Sequence, residues 1–387
     1  MHVLRVAARR PRIRDGILAD RRAPSRPPPD RRATPPADPG AGPLSDASDI
    51  TRHRGLPGGG RRWQAWAGAA VSAAFLFLAF RGQHPAEVLA SLREVDLRWL
   101  PPALLLFAAG VAIRAWRWSV LIRPVAPLTP AEVMPALLAG YTANNILPFR
   151  TGEVVRAYLL GSRHGLRTSS VLGTIAVERL LDGLTMLGFL LAAMTVISPT
   201  PELRRLALLA AILFAVAIAA LGMLVRGGAW RDRALELLLF PLPLALRGRI
   251  RSIAQAFLDG LGALTRGGDL LIVAVASAAA WACEAGMYWA IARGFGPPLS
   301  SAVDPAGAAL ITGVANLATL VPAAPGYVGT FEAGVVLAAA ALGVSRGLAL
   351  SYALLVHAAL WFPVTVVGAF AWWRMTAARK RQPSAAT

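Results

Sequence analysis

Apolar positions along this chain gather into blocks about as long as a bilayer core is thick, roughly 20 helical residues each. The first runs from Trp63 to Phe80, between Arg61, Arg62 and Arg81. Residues 82–98 mix acids and bases with Leu89, Leu92 and Leu97, the pattern of an amphipathic helix lying in the interface. A second block spans Trp99 to Ile122, with Trp116, Trp118 and Arg123 as interface anchors. Further blocks lie at about 174–197, 206–225, 270–293 and 348–373, and a basic amphipathic loop joins residues 226–268. Two more apolar segments, about 131–165 and 305–343, are broken in the middle by Pro, Gly, Asn and charge. This pattern predicts an all-α, polytopic integral membrane bundle of about six full spans plus two re-entrant or broken helical hairpins. The alternative is that each broken segment is two short spans, giving ten helices with the same sidedness.

Composition agrees with a membrane chain. Hydrophobic residues make up 56% and charged residues 16% of 387 positions, and the mean hydropathy is +0.52, where soluble chains carry about 25% charge. The one cysteine, Cys283, excludes an internal disulfide framework. The net charge is +19, and fourteen arginines against six aspartates precede Trp63. Those arginines alternate with prolines and acids and lack aromatic platforms, so a lipid-touching tail is expected rather than a nucleic-acid-binding one. Residues 1–60 therefore read as a disordered Arg/Pro-rich cytoplasmic tail without a cleavable leader, 61–375 as the membrane domain, and 376–387 as a second basic cytoplasmic tail. Positive charge on the inner side is expected to put both termini in the cytoplasm, and the plasma membrane is the expected location.

The two broken segments resemble each other. Gly140-Tyr-Thr-Ala-Asn144-Asn145-Ile-Leu-Pro148-Phe-Arg150-Thr-Gly152-Glu153 and the stretch from Gly313 through Asn316, Pro322, Pro325, Gly326 and Gly329 to Glu332 share the order Gly, Ala-Asn, apolar, Pro, Gly, Glu. Paired breaks in two inverted halves point to a transporter's midplane site; chance likeness of two Gly/Pro-rich breaks is the plainer reading. Pro148 and Gly152 end one half-helix and let another begin near Thr151 or Gly152, whose free N–H groups would suit a phosphate or carboxylate. Arg150 and Arg156 flank that turn with guanidiniums suited to bidentate phosphate recognition. Glu153 could balance one of them or carry a proton, and Asn144 and Asn145 supply neutral hydrogen bonds. Glu178, Arg179 and Asp182 share the early turns of an apolar block, so they face protein or water, as an ion-pair cluster, as substrate ligands, or as both. Glu284 is a further intramembrane candidate, and His357 reads as a hydrogen-bonded core residue. The five histidines form no ligand spacing, and no P-loop, GxSxG or HExxH occurs, so no metal, cofactor or ATP-driven step is expected.

The run ANNILPFRTGEVVRAYLL, followed by VERLLD at Val177 to Asp182, resembles the membrane domain of the lysylphosphatidylglycerol synthase family. PAAPGYVGTFEAG, Pro322 to Gly334, looks like its second signature. By position, Asn144, Asn145, Pro148, Arg150, Gly152, Glu153, Arg156, Glu178, Arg179 and Asp182 match the first motif, and Pro322, Pro325, Gly326, Gly329 and Glu332 the second. The resemblance implies a protein that moves, or helps to move, an amphiphilic lipid between leaflets. With the paired breaks carrying Arg, Asn and Glu, the expected cargo is an anionic or aminoacylated lipid whose headgroup Arg150 or Arg156 holds, so that Arg156→Ala should abolish transport in a folded protein. Two-domain members carry a soluble aminoacyl-transferase domain after the membrane domain. Here the chain stops soon after the last span, so the synthase reaction is not expected. Two other readings stay open: a non-catalytic partner of a separate lipid- or glycolipid-modifying enzyme, and a membrane-embedded enzyme using Glu153, Glu178 or Asp182 as acid or base on a lipid phosphate.

Overall fold

The computed structural model describes residues 85–147, 151–226, 244–261, 267–321 and 325–380, with isolated positions between 70 and 81 and at 233 and 236. Every regular element among them is helical. In chain order these are α1 (Pro85–Arg93), a 3₁₀ turn (Leu97–Trp99), α2 (Leu100–Leu121), α3 (Pro130–Ile146), α4 (Gly152–His164), α5 (Thr168–Ala193) and α6 (Pro201–Arg226). Then come α7 (Leu244–Gly260), α8 (Gly267–Phe295), a single turn (Leu299–Ala302), α9 (Pro305–Ala318), a 3₁₀ turn (Pro325–Tyr327), α10 (Thr330–Ala341) and α11 (Arg346–Lys380). Local chemistry sets several of the starts. Pro130 occupies the first turn of α3, where a missing N–H costs nothing, and Glu132 accepts from the Thr129 N–H at 2.8 Å. Asp304 caps α9 through the Gly307 N–H at 2.7 Å.

Leu97–Leu121, Pro201–Ala220, Gly268–Phe295 and Arg346–Ala377 are long and apolar enough to cross a membrane, and they coincide with four of the expected spans. Residues 174–193 of the block expected at 174–197 form the last three-quarters of α5, whose 26 residues reach about 39 Å; its charged side chains set it apart from the other four. Most of the block at 63–80, the tail at 1–60, residues 381–387 of the tail expected at 376–387, and most of 227–243 lie outside the described residues, while 376–380 continue α11. The broken segments form two helical hairpins, α3–α4 and α9–α10. Their limbs have 17, 13, 14 and 12 residues, each short of the roughly 20 that a crossing needs. One expectation fails: Trp118 is no interface anchor. It is fully buried, and its indole N–H donates to Thr174 at 3.2 Å. Trp116, two residues away on the opposite face, stays exposed.

The packing order repeats. The hairpin α3–α4 lies between α2 and α5 in sequence, and α9–α10 lies between α8 and α11. The long helices α2 and α8 pack on each other, with Cys283 of α8 set against Gly110 of α2. Each hairpin then docks on the long helix of the other half, α3 on α11 and α9 on α5. Exchanging α2 with α8, α3 with α9, α4 with α10 and α5 with α11 leaves nearly all of these pairings unchanged; α5 against α8 is the exception. Two apolar clusters result. One is built on Leu137, Leu160, Val171 and Ile175, the other on Leu190, Met287, Ile311 and Val335. Between them, at residues 114–117 of α2, 178–182 of α5 and 277–284 of α8, runs a polar belt.

Candidate functional site

The belt consists of buried charge held in pairs, as an interior of low dielectric requires. Arg117 of α2, fully buried, bonds both carboxylate oxygens of Asp182 and donates to Ser277 Oγ at 2.7 Å. Arg114, one turn earlier, pairs with Glu284 of α8 at 2.7 Å and stacks over Trp281, 4.5 Å from the ring centre. On α5, Glu178 receives three guanidiniums on one carboxylate oxygen: Arg179 at 2.5 Å, Arg156 at 3.1 Å and Arg117 at 3.3 Å. Asp182 also accepts from Arg179 at 3.0 Å and from the Trp281 indole N–H at 2.9 Å. Among the described residues this ion-paired set joins four guanidiniums to three carboxylates.

Both hairpins close on internal caps. Asn144, in the last turn of α3, accepts the Gly152 N–H at 2.8 Å and leans its amide toward Glu153 at 3.5 Å. The first N–H of α4 is therefore already used, against the expectation of a free helix terminus there. Gly152 has no room for a side chain, since a Cβ would sit 2.0 Å from the Gly140 carbonyl oxygen. In the second hairpin Glu332 caps α10 by accepting the Gly329 N–H at 2.7 Å. Its other oxygen meets His357 Nδ1 of α11 at 2.6 Å, and His357 Nε2 faces the Gly326 carbonyl at 2.8 Å. Gly326 has φ +72°, a conformation glycine adopts freely, and a Cβ there would lie 2.8 Å from the Trp361 indole nitrogen. The two breaks meet, because the same position lies 3.4 Å from the backbone oxygen of Asn145.

Where they meet there is a cavity of about 340 Å³. Asn144 and Asn145 line it from the first hairpin, and Asn316, Gly326 and Tyr327 from the second. Arg179, Asp182, Arg114, Glu284 and His357 supply its charged and titratable wall, and Trp281, Phe331 and Trp361 much of its apolar wall. Asn145 is pinned to α11 through Thr365 Oγ1 at 2.7 Å, and Asn316 to Glu284 at 3.2 Å.

The expected site residues thus fall into groups. Asn144, Asn145, Arg179, Asp182 and Gly326 line the cavity. Arg156 and Glu178 stand behind its wall, 3% and 0% exposed, and Arg156 stacks over Trp118 with its guanidinium carbon 4.7 Å from the ring centre. Glu153 supports Asn144, and Glu332 supports His357. Gly152, Pro325 and Gly329 occupy the hairpin turns. Pro148, Arg150 and Pro322 lie outside the described residues. Sequence reasoning missed Arg114 and Arg117. Their signal was available: two arginines three apart inside an apolar block carry the same membrane cost that singled out Glu178. Among the described residues no group of three or more His, Cys, Asp or Glu is placed to hold a metal.

Comparison with known proteins agrees with the geometry. The family model of the lysylphosphatidylglycerol synthase TM region matches residues 65–368. The chain is similar to the glycosyltransferase AglD of Haloferax volcanii, 26% identical over 311 residues that cover 73% of this chain and 50% of the relative. It is also similar to a UPF0104 membrane protein of Methanothermobacter thermautotrophicus, 33% identical over 116 residues covering 29% of this chain and 34% of that protein. The chain therefore spans about half the length of the first relative and about a third of the second.

Proposed function

The chain belongs to the lysylphosphatidylglycerol synthase TM-region family, and from that premise we propose that it is a lipid flippase of the plasma membrane with both tails cytoplasmic. Its work is in the membrane and concerns lipid; what it carries is an amphiphile with an anionic or aminoacylated headgroup. One observation carries the reading: the breaks of both hairpins open onto one cavity, and Arg179 faces into it. The Arg179 side chain is 34% exposed, so its guanidinium can meet a headgroup oxygen from the cavity side. Asn144 and Asn145 stand opposite with neutral groups, and the aromatic wall accommodates the glycerol or polyprenyl end. The exchangeable packing of the two halves supplies the movement: rocking one half against the other about the α2–α8 pair turns the cavity from one leaflet to the other.

The test is leaflet exchange of fluorescent phosphatidylglycerol in proteoliposomes, native chain against Arg179→Gln. Exchange by the native chain and a fall of about tenfold in the variant, about 1.4 kcal/mol in the barrier, is the expected result. Native protein that moves neither anionic, aminoacylated nor polyprenyl lipids overturns the reading. A second reading has its own support, because the Haloferax relative is named a glycosyltransferase. On that reading the membrane domain is the non-catalytic partner of an enzyme that builds lipid-linked products, and co-purification with such an enzyme would support it.

A further inference from the structure

The second hairpin is held to α11 by an arrangement that counts protons. His357 lies between two acceptors, the Glu332 carboxylate at 2.6 Å and the Gly326 carbonyl at 2.8 Å. The other oxygen of Glu332 faces a donor, the Gly329 N–H. An imidazole nitrogen facing a carbonyl must donate, and a proton must also lie between Nδ1 and the carboxylate. The pair therefore holds two protons, either as imidazolium with carboxylate or as imidazole with carboxylic acid. Remove one, and a lone pair is left facing either Gly326 or Glu332. Add one, and the carboxylic acid must donate toward a neighbour that is itself a donor. The network is satisfied at one occupancy alone, and its side chains are buried or nearly so, 3% exposed for Glu332 and 13% for His357.

What the network holds is the tip of the hairpin. Gly326 lies in the turn before α10, Glu332 in its first turn and His357 on another helix, so the imidazole staples that turn and the start of α10 to α11. From this we infer that Glu332 and His357 form a proton site coupled to transport, in which a proton taken from one side of the membrane closes the second hairpin tip and its release to the other side frees it. This rests on the flippase reading and adds the coupling ion to it. The co-transported species is the proton alone: it leaves the Nδ1–Oε1 bridge for water in the cavity, which His357 lines, and no other reactant is needed. The groups around the pair are accounted for. Tyr288 of α8 meets it through Phe331, whose ring also stacks on His357 at 4.7 Å, and Tyr327 stands at the tip. Across the cavity Tyr141 of α3 and the paired charges Arg114–Glu284 and Arg179–Asp182 complete the wall. Each of those cations already faces a carboxylate.

The closed tip binds one proton more than the released tip, so closure is favoured as pH falls and release as pH rises through the loss of the bridging proton. The experiment places a thiol at the tip by Tyr327→Cys in a Cys283→Ala chain and follows its maleimide labelling in proteoliposomes from about pH 6 to about pH 9. The same chain with His357→Gln supplies the baseline for the thiol's own ionisation. Labelling that lies below this baseline near pH 6 and climbs toward it as pH rises, by up to about tenfold per pH unit for a one-proton step, is expected, with Glu332→Gln lying on the baseline. Labelling of the histidine-containing chain that follows the baseline overturns the inference. Should both variants fail to fold, the native chain decides: an imposed pH gradient must bias fluorescent phosphatidylglycerol toward one leaflet, and exchange blind to the gradient rejects the coupling. Exchange without a pH effect leaves the flippase reading intact, whereas a chain that exchanges nothing removes both.

Discussion

Glu178 concentrates three guanidiniums on one oxygen, and a change at this residue leaves like charges facing one another in a dry interior. Glu178→Gln is expected to cost about 3–5 kcal/mol, the range for breaking a buried pair from one side, read as a lower melting temperature in detergent. Arg156→Ala should fall in the same range and also lose its stacking on Trp118. Its expected phenotype is therefore reduced folded yield, which a melting curve separates from the folded but inactive protein that the sequence alone suggests. Arg179→Gln should melt closer to the native chain, because Glu178 keeps Arg117 and Arg156. Gly152→Ala forces a methyl into the Gly140 carbonyl and should cost about 1–3 kcal/mol. Much at this scale was legible in the sequence: charge inside an apolar block is expensive wherever it stands, which is why Glu178, Arg179 and Asp182 announced themselves. Which charge answers which was not legible. Arg114 finds Glu284 across 170 positions, and Arg117 finds Asp182 across 65. A helical period tells which face a residue takes but not which helix lies opposite.

The hairpins owe their shape to the same rule on a larger scale. Proline, glycine and asparagine interrupt an apolar run, and the freed backbone groups are then satisfied by side chains of the hairpin itself, Asn144 in the first and Glu332 in the second. Both breaks were visible as interruptions. The caps were not, since a helix terminus offers its N–H groups equally to a ligand and to a neighbouring side chain. Element boundaries shifted for a related reason. α5 begins at Thr168, ahead of its apolar block, because the backbone ladder forms through polar residues as readily as through leucine. The first hairpin is pinned to α11 by Asn145 and Thr365, so a double-mutant cycle of Asn145→Ala and Thr365→Val should return a coupling of about 1 kcal/mol in thermal unfolding. Additive effects would place the pin elsewhere.

At the scale of the whole molecule, two halves exchange hairpins across a central seam and enclose the polar belt between two apolar clusters. The outer face of α6 carries Leu208, Leu209, Ile212, Leu213 and Val216, all more than half exposed, the surface a lipid chain covers. Leu209→Arg is expected to raise the cost of membrane insertion by about 2.5–3.5 kcal/mol, measured as the inserted fraction in a translation assay; unchanged insertion would put this face against protein instead. The seam itself has one more property. Cys283, the only cysteine in the chain, sits half-buried where α8 meets Gly110 of α2. If the halves rock as proposed, the unmodified protein carries its own displacement gauge at the hinge. A thiol clamped between two helices reacts slowly, and one that is periodically uncovered reacts at the rate of uncovering. On that proposal the rate at which the native cysteine is labelled reports the rate of opening, with no residue replaced.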